Sequence, residues 1–225
     1  EKVLEKILKN IIYKVPLFLI TFFVIEYSPS MLNEIQPDSE DYLNLHQKRQ
    51  STYYLIIQAL DLLNIDLIFF QKCFLSISII GLFFLINKKT NIFLSSLTYF
   101  LIVSNIYYTS FSKTILTEVF LFSFINLAVF FLFNLKNKPQ LIFFSLCCGM
   151  IASLKPIGIP IALILMIFAF FKIDKLKKIP LIIVVFLVPN IIENIFFYNH
   201  FNKRETVFKD VVAGKLFFMS GKDSF

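Results

Sequence analysis

Glycine is scarce in this chain, with 5 among 225 residues. That leaves little from which to build the tight turns that bring backbone N–H groups onto a nucleotide's phosphates, and no glycine-rich phosphate loop occurs. Cysteine is as rare: Cys73, Cys147 and Cys148 all lie inside apolar runs, where a thiol behaves as a small hydrophobe, and neither a disulfide framework nor a zinc motif follows. The 2 histidines, His46 and His200, stand far apart in sequence and make a poor start for a metal site. Internal repeats and low-complexity linkers are also missing.

What fills the chain is apolar. It is 57% hydrophobic, with a mean hydropathy of +0.75, above the range of ordinary soluble domains, and reads as an integral membrane protein. Phenylalanine alone contributes 30 residues; with the many Ile, Asn, Lys and Tyr it belongs to a set favoured by AT-rich codons. The net charge of +7 is better explained by membrane-facing lysines than by nucleic acid, because the lysines fall between apolar runs and do not form one basic face.

A bilayer core of about 30 Å needs roughly 20 helical residues, and against that measure seven spans are expected, near 11–27, 65–87, 91–108, 115–134, 140–154, 157–172 and 179–197. The first has no small-residue cleavage site after it and is expected to be an uncleaved anchor. Lys2, Lys6, Lys9, Lys88, Lys89, Lys136, Lys138, Lys172, Lys175, Lys177 and Lys178 collect on one side, which the positive-inside rule makes cytoplasmic. The segments 140–154 and 157–172 are short and flank "SLKPIG", a hairpin that either crosses a thinned region or re-enters the membrane. The fold class is therefore all-α: a polytopic helix bundle over 1–197, with an outer loop and interfacial helix at 28–64, and the start of a non-cytoplasmic segment at 198–225. The chain opens on Glu1 and stops at Phe225 in a polar stretch, as expected of a fragment.

The outer loop carries "QPDSEDYLNLHQKRQ", residues 36–50, a sharply charged stretch between apolar runs. Asp38 can act as a general base toward an acceptor hydroxyl, or it can cap a helix "EDYLNLHQ", with Glu40 and Asp41 favoured by the helix dipole. In "KRQSTYYLIIQALDLLN", Tyr54, Ile57, Leu60 and Leu63, widened by Ile56 and Leu62, make one apolar stripe of a helix lying on the membrane. Glu118 heads the fourth span, where an ionisable group marks a site or complements the dipole; Glu193 is a weaker candidate of the same kind, and Glu26 simply ends the first span. Lys155, at the hairpin tip before Pro156, can bind a lipid phosphate or snorkel to the headgroups. Arg49 offers a fork to the same phosphate or is solvated at the surface, and His46 is a secondary candidate.

In their order, "PDSEDYL" after a first span, Arg49 before an interfacial helix, "LTE" heading the fourth span and "GMIASLKPIGIPI" resemble the C-type membrane glycosyltransferases, nearest the branch of protein O-mannosyltransferases and lipid A aminoarabinose transferases. The resemblance covers nearly the whole chain through short motifs. It implies transfer of a sugar from a polyprenyl-phosphate donor to a lipid, glycan or protein acceptor on the non-cytoplasmic face of the inner (plasma) membrane, usually with inversion. It makes Asp38 the base or metal-proximal acid, Glu118 a second acid, and Lys155 the group approaching the donor phosphate. A divalent metal ion is compatible with that scheme. Two departures stand out: "RQSTYYLI" keeps only the Arg and a Tyr of a Pro-Gly-Tyr-Pro-like stretch, and Lys replaces the commoner Arg at 155, a point charge in place of a fork. A transporter or flippase would need ionisable groups along a path through the bilayer, and a non-catalytic scaffold would use the same residues as caps and anchors.

Overall fold

A computed structural model describes residues 2–36, 38–46, 49–135, 137–173 and 178–201, and among these the regular structure is entirely helical. Ten helices follow one another: α1 (Lys2–Tyr27), α2 (Ser39–Leu43), α3 (Thr52–Leu62), α4 (Leu67–Lys89), α5 (Ile92–Val103), α6 (Ile106–Phe111), α7 (Glu118–Phe133), α8 (Lys138–Leu154), α9 (Gly158–Lys172) and α10 (Ile179–His200). Local sequence explains several boundaries. The Asp66 carboxylate accepts from the Phe69 N–H at 2.6 Å to start α4, and Lys88 and Lys89 complement the dipole at its end. Asn91 opens α5 in the same way, accepting from Leu94 N–H at 2.8 Å.

The expected seven spans are not what the helix lengths support. Among the described residues two helices, α4 at 23 residues and α10 at 22, are long and apolar enough to cross a membrane. The run 91–108 is broken: Asn105 turns its side-chain carbonyl onto the N–H groups of Tyr107 and Tyr108 and starts the separate α6, leaving α5 with 12 residues. Helices α7, α8 and α9 reach 16, 17 and 15 residues. Of the segment 198–225, residues from 202 onward lie outside the described residues, as do Lys136, Lys175 and Lys177.

Helix α8 is central, packing against α7, α9 and α10. Its small residues allow this: a Cβ on Gly149 would stand 2.5 Å from the Phe186 carbonyl oxygen of α10. Phe144, Cys148, Ile151 and Ala152 bury there with Ala128, Ala162 and Ile182. A second core, of Ile25, Tyr42, Tyr53, Leu75, Ile79, Val119, Phe120 and Leu154, joins the opening loop to α4 and α7. The outer faces of α9 and α10 leave Ile164, Phe168, Phe171, Val184, Ile192 and Ile195 exposed, an apolar surface that suits lipid better than water.

Helix α3 keeps Ile57 and Leu60 of the expected stripe on one inward face and adds Thr52 and Tyr53 to it, whereas Leu62 and Leu63 are exposed. Tyr53 joins that face because it finds a buried hydrogen-bond partner, which lets a large aromatic enter the core with its hydroxyl satisfied.

The bundle has two chemically different ends. At one, Lys88 Nζ reaches Asn134 Oδ1 at 3.4 Å, while Lys172 Nζ reaches the Leu132 carbonyl at 3.3 Å and lies 4.0 Å over the Phe133 ring. At the other, where α7 and α9 begin and α8 ends, the carboxylates gather.

Candidate active site: two charge clusters at one end of the helices

Lys155 is positioned by the residue that follows it. Pro156 disfavours helical geometry in its predecessor, so α8 ends at Leu154 and Lys155 is extended, at φ −151° and ψ 147°. The chain then turns through Gly158 N–H to Lys155 carbonyl, 2.8 Å, and begins α9 at once. Only glycine fits at 158, since a Cβ would come within 1.8 Å of the Ile151 carbonyl oxygen. Held this way, the Lys155 ammonium donates to Glu118 Oε1 at the head of α7. Both side chains are about three-quarters buried, at 25% and 23% exposure. Lys155 therefore does not snorkel as a lone cation. The Thr117 hydroxyl adds a longer contact to Glu118 Oε2 at 3.4 Å.

The charged loop is pinned to the same end. Ile115 N–H donates to the Glu34 carbonyl at 2.9 Å, and Ser39, fully buried, donates its hydroxyl to the Ile115 carbonyl at 2.9 Å. Ile115 lies three residues before Glu118. The anticipated helix is only α2, 5 residues long. Asp38 takes its N-cap position without a side-chain cap hydrogen bond, so capping does not account for the carboxylate. It pairs instead with Arg49, Nη2 to Oδ1 at 2.6 Å, while Arg49 Nε meets Asp41 Oδ2 at 3.1 Å. Burial works to lower the Arg49 pKa, but Tyr42 and the two aspartates outweigh it and the value rises. The guanidinium also lies 5.3 Å over the Tyr42 ring. Arg49 is thus held on three sides and is not a freely solvated cation. Asp38 stays 54% exposed, open to a hydroxyl from solvent or membrane.

Aromatic side chains link the two clusters. Tyr42 meets Tyr53 edge-on at 5.2 Å, and Tyr53 meets Phe120, two residues beyond Glu118, at 5.7 Å. Gln71 of α4, fully buried, donates to the Tyr53 hydroxyl at 2.6 Å. Burial drives the Tyr53 pKa far up; the Gln71 hydrogen bond opposes this, and the charges of Tyr42 and Glu118 add to it. Sequence reasoning missed Tyr42, Tyr53 and Gln71. A glutamine within an apolar helix was the available signal.

Glu193 proves to be an anchor. It is 3% exposed, and its Oε1 accepts from the Ser51 N–H at 3.0 Å and from the Ser51 hydroxyl at 3.1 Å, tying α10 to the start of α3. Glu26 does more than end α1, because it pairs with Lys72 at 2.6 Å. Glu40 and His46 are exposed, as is His200, whose Nδ1 lies 2.9 Å from the Phe196 carbonyl. No group of three His, Cys, Asp or Glu side chains able to hold a metal ion occurs among the described residues.

The arrangement can do two things chemically. An exposed carboxylate can accept a proton, and two cations, each already balanced by a carboxylate, can turn toward a phosphate that comes to compete for them. Comparison of the chain with family models, with curated proteins and with solved structures returns no match.

Proposed function

We propose that the chain is a membrane-embedded glycosyltransferase that moves a sugar from a polyprenyl-phosphate donor to an acceptor hydroxyl, with inversion at the anomeric carbon. The observation supporting it is the Lys155–Glu118 pair at the same end of the helices as the Asp38–Arg49–Asp41 cluster. In this reading Asp38 takes the proton of the acceptor hydroxyl as its oxygen bonds to the anomeric carbon. The bond from that carbon to the phosphate oxygen breaks, and its electron pair leaves with the lipid phosphate. Lys155 and Arg49 stabilise the growing charge. Glu118 holds Lys155 in place until the phosphate arrives. No nucleotide is consumed, because the donor enters the bilayer already activated.

The same reading makes the chain multi-pass. Sixteen helical residues reach about 24 Å, short of the roughly 30 Å core, so α7, α8 and α9 cross where the bilayer thins around them. The lysine-rich end faces the cytoplasm, and the paired acids face the periplasm or exterior of the inner membrane.

The experiment is incubation of membranes carrying the full-length protein with polyprenyl-phosphate sugars labelled in the sugar. Label leaving the lipid only when the chain is present supports transfer. Label that crosses the bilayer while still lipid-bound supports a flippase instead, and label that does neither supports the scaffold reading.

A further inference from the structure

Away from these pairs, a groove of about 430 Å³ opens between the end of α1 and the α5–α6 turn, a volume within the range of small-molecule sites. Val24, Tyr27, Pro29, Val103, Ile106 and Thr109 line it together with Ser28 and Ser104. One cation holds a residue of its lining, and a second pairs with the neighbouring Glu26. Lys113 lies in the turn that follows α6, and its ammonium donates to the carbonyls of Glu26, at 2.7 Å, and of groove-lining Ser28. Lys72 of α4 pairs with the Glu26 carboxylate at 2.6 Å. Glu26, Lys72 and Lys113 thus leave one positive charge in excess beside an apolar channel. Burial lowers the Lys113 pKa; the Lys72 charge lowers it further, and Glu26 works against both, so an added anion would relieve the repulsion between the lysines. Tyr27 is 80% exposed at the groove, the setting in which tyrosine marks headgroup level.

We propose that this groove holds an acyl chain of an anionic phospholipid whose phosphodiester lies on Lys113 and Lys72. The occupant is amphipathic because the site is: an apolar groove with one of its lining residues, Ser28, held by a cation. The inference rests on the membrane reading but not on sugar transfer, since it uses neither Asp38, Glu118 nor Lys155. The phosphate gains charge-assisted hydrogen bonds from two ammonium groups, and the chain gains contact with Val24, Val103 and Ile106.

The test is native mass spectrometry of the full-length protein, extracted from vesicles of equal phosphatidylglycerol and phosphatidylcholine and washed with delipidating detergent. The wild type is expected to keep one phosphatidylglycerol and to lose phosphatidylcholine. Lys72→Gln is expected to lower retention about tenfold, the scale of one charge-assisted hydrogen bond. Lys113→Gln should act likewise; because Lys113 also closes the end of α1, Lys72→Gln decides if that variant does not accumulate. Ser104→Phe, at an exposed position on the groove, should lower retention as much with every charge in place. Equal retention of both lipids, undiminished retention in Ser104→Phe, or displacement of phosphatidylglycerol by an equimolar polyprenyl phosphate would overturn the proposal. A chain recovered from the aqueous fraction without detergent would instead sink the membrane reading beneath it.

Discussion

Lys155, just past the end of α8, is ion-paired with Glu118, the first residue of α7, across 37 positions of sequence. The pair fastens the α8–α9 turn to the helix it packs against. Three-quarters burial places it between a surface pair, with little effect on stability, and a buried one, where losing a partner costs about 3–5 kcal/mol. Glu118→Gln and Lys155→Ala should each lower stability by about 1–3 kcal/mol, and the double variant by less than their sum. Thermal unfolding in detergent checks this, and additive losses would show the two residues uncoupled.

Asp38→Asn separates chemistry from folding. No cap hydrogen bond depends on the carboxylate, and Arg49 keeps Asp41. The variant should accumulate normally while sugar transfer drops by roughly two orders of magnitude, the usual scale for a positioned base. Full transfer at matched protein level would remove Asp38 from the reaction.

Gly158→Ala tests the hairpin itself. Its Cβ would lie 1.8 Å from the Ile151 carbonyl oxygen, so backbone must move. A loss of about 1–3 kcal/mol is expected, with the Lys155–Glu118 pair displaced. Unchanged melting would mean that the turn is wider than described.

Glu193 offers a contrast between two substitutions. Gln keeps an oxygen for the Ser51 N–H and hydroxyl, whereas Ala leaves buried polar groups at the start of α3 without that partner. Glu193→Ala should therefore be the worse by about 1–3 kcal/mol, with faster proteolysis of the loop at 38–50. Equal stability of the two would deny the anchor.

The proposed orientation puts the lysine-rich end in the cytoplasm and can be checked directly. Tags after Lys89, Asn137 and Lys178 should be protected in intact cells, and tags near Glu40 and His200 should be accessible from outside. Protection at Glu40 would overturn both the orientation and the proposed chemistry.

The sequence by itself was enough for the helical class and for where most apolar runs begin and stop, because these depend on local signals: hydrophobic length, Asp and Asn caps, and the Lys-Pro boundary at 155. It also singled out Asp38, Arg49, Glu118 and Lys155, since charge in so apolar a chain is costly to keep without a role. It misjudged the run 91–108, where one cap residue, Asn105, outweighs continuous hydropathy, and it missed Tyr53 on the inward face of α3, where the Gln71 amide takes up its hydroxyl. Which charges become partners was settled by tertiary packing alone. Glu118 takes Lys155 because α7 lies against α8, Arg49 closes on Asp38 and Asp41 beside the Tyr42 ring, and Glu193 reaches Ser51 across 142 positions. Pairing of this kind depends on distances across the bundle, and a linear pattern carries no measure of them.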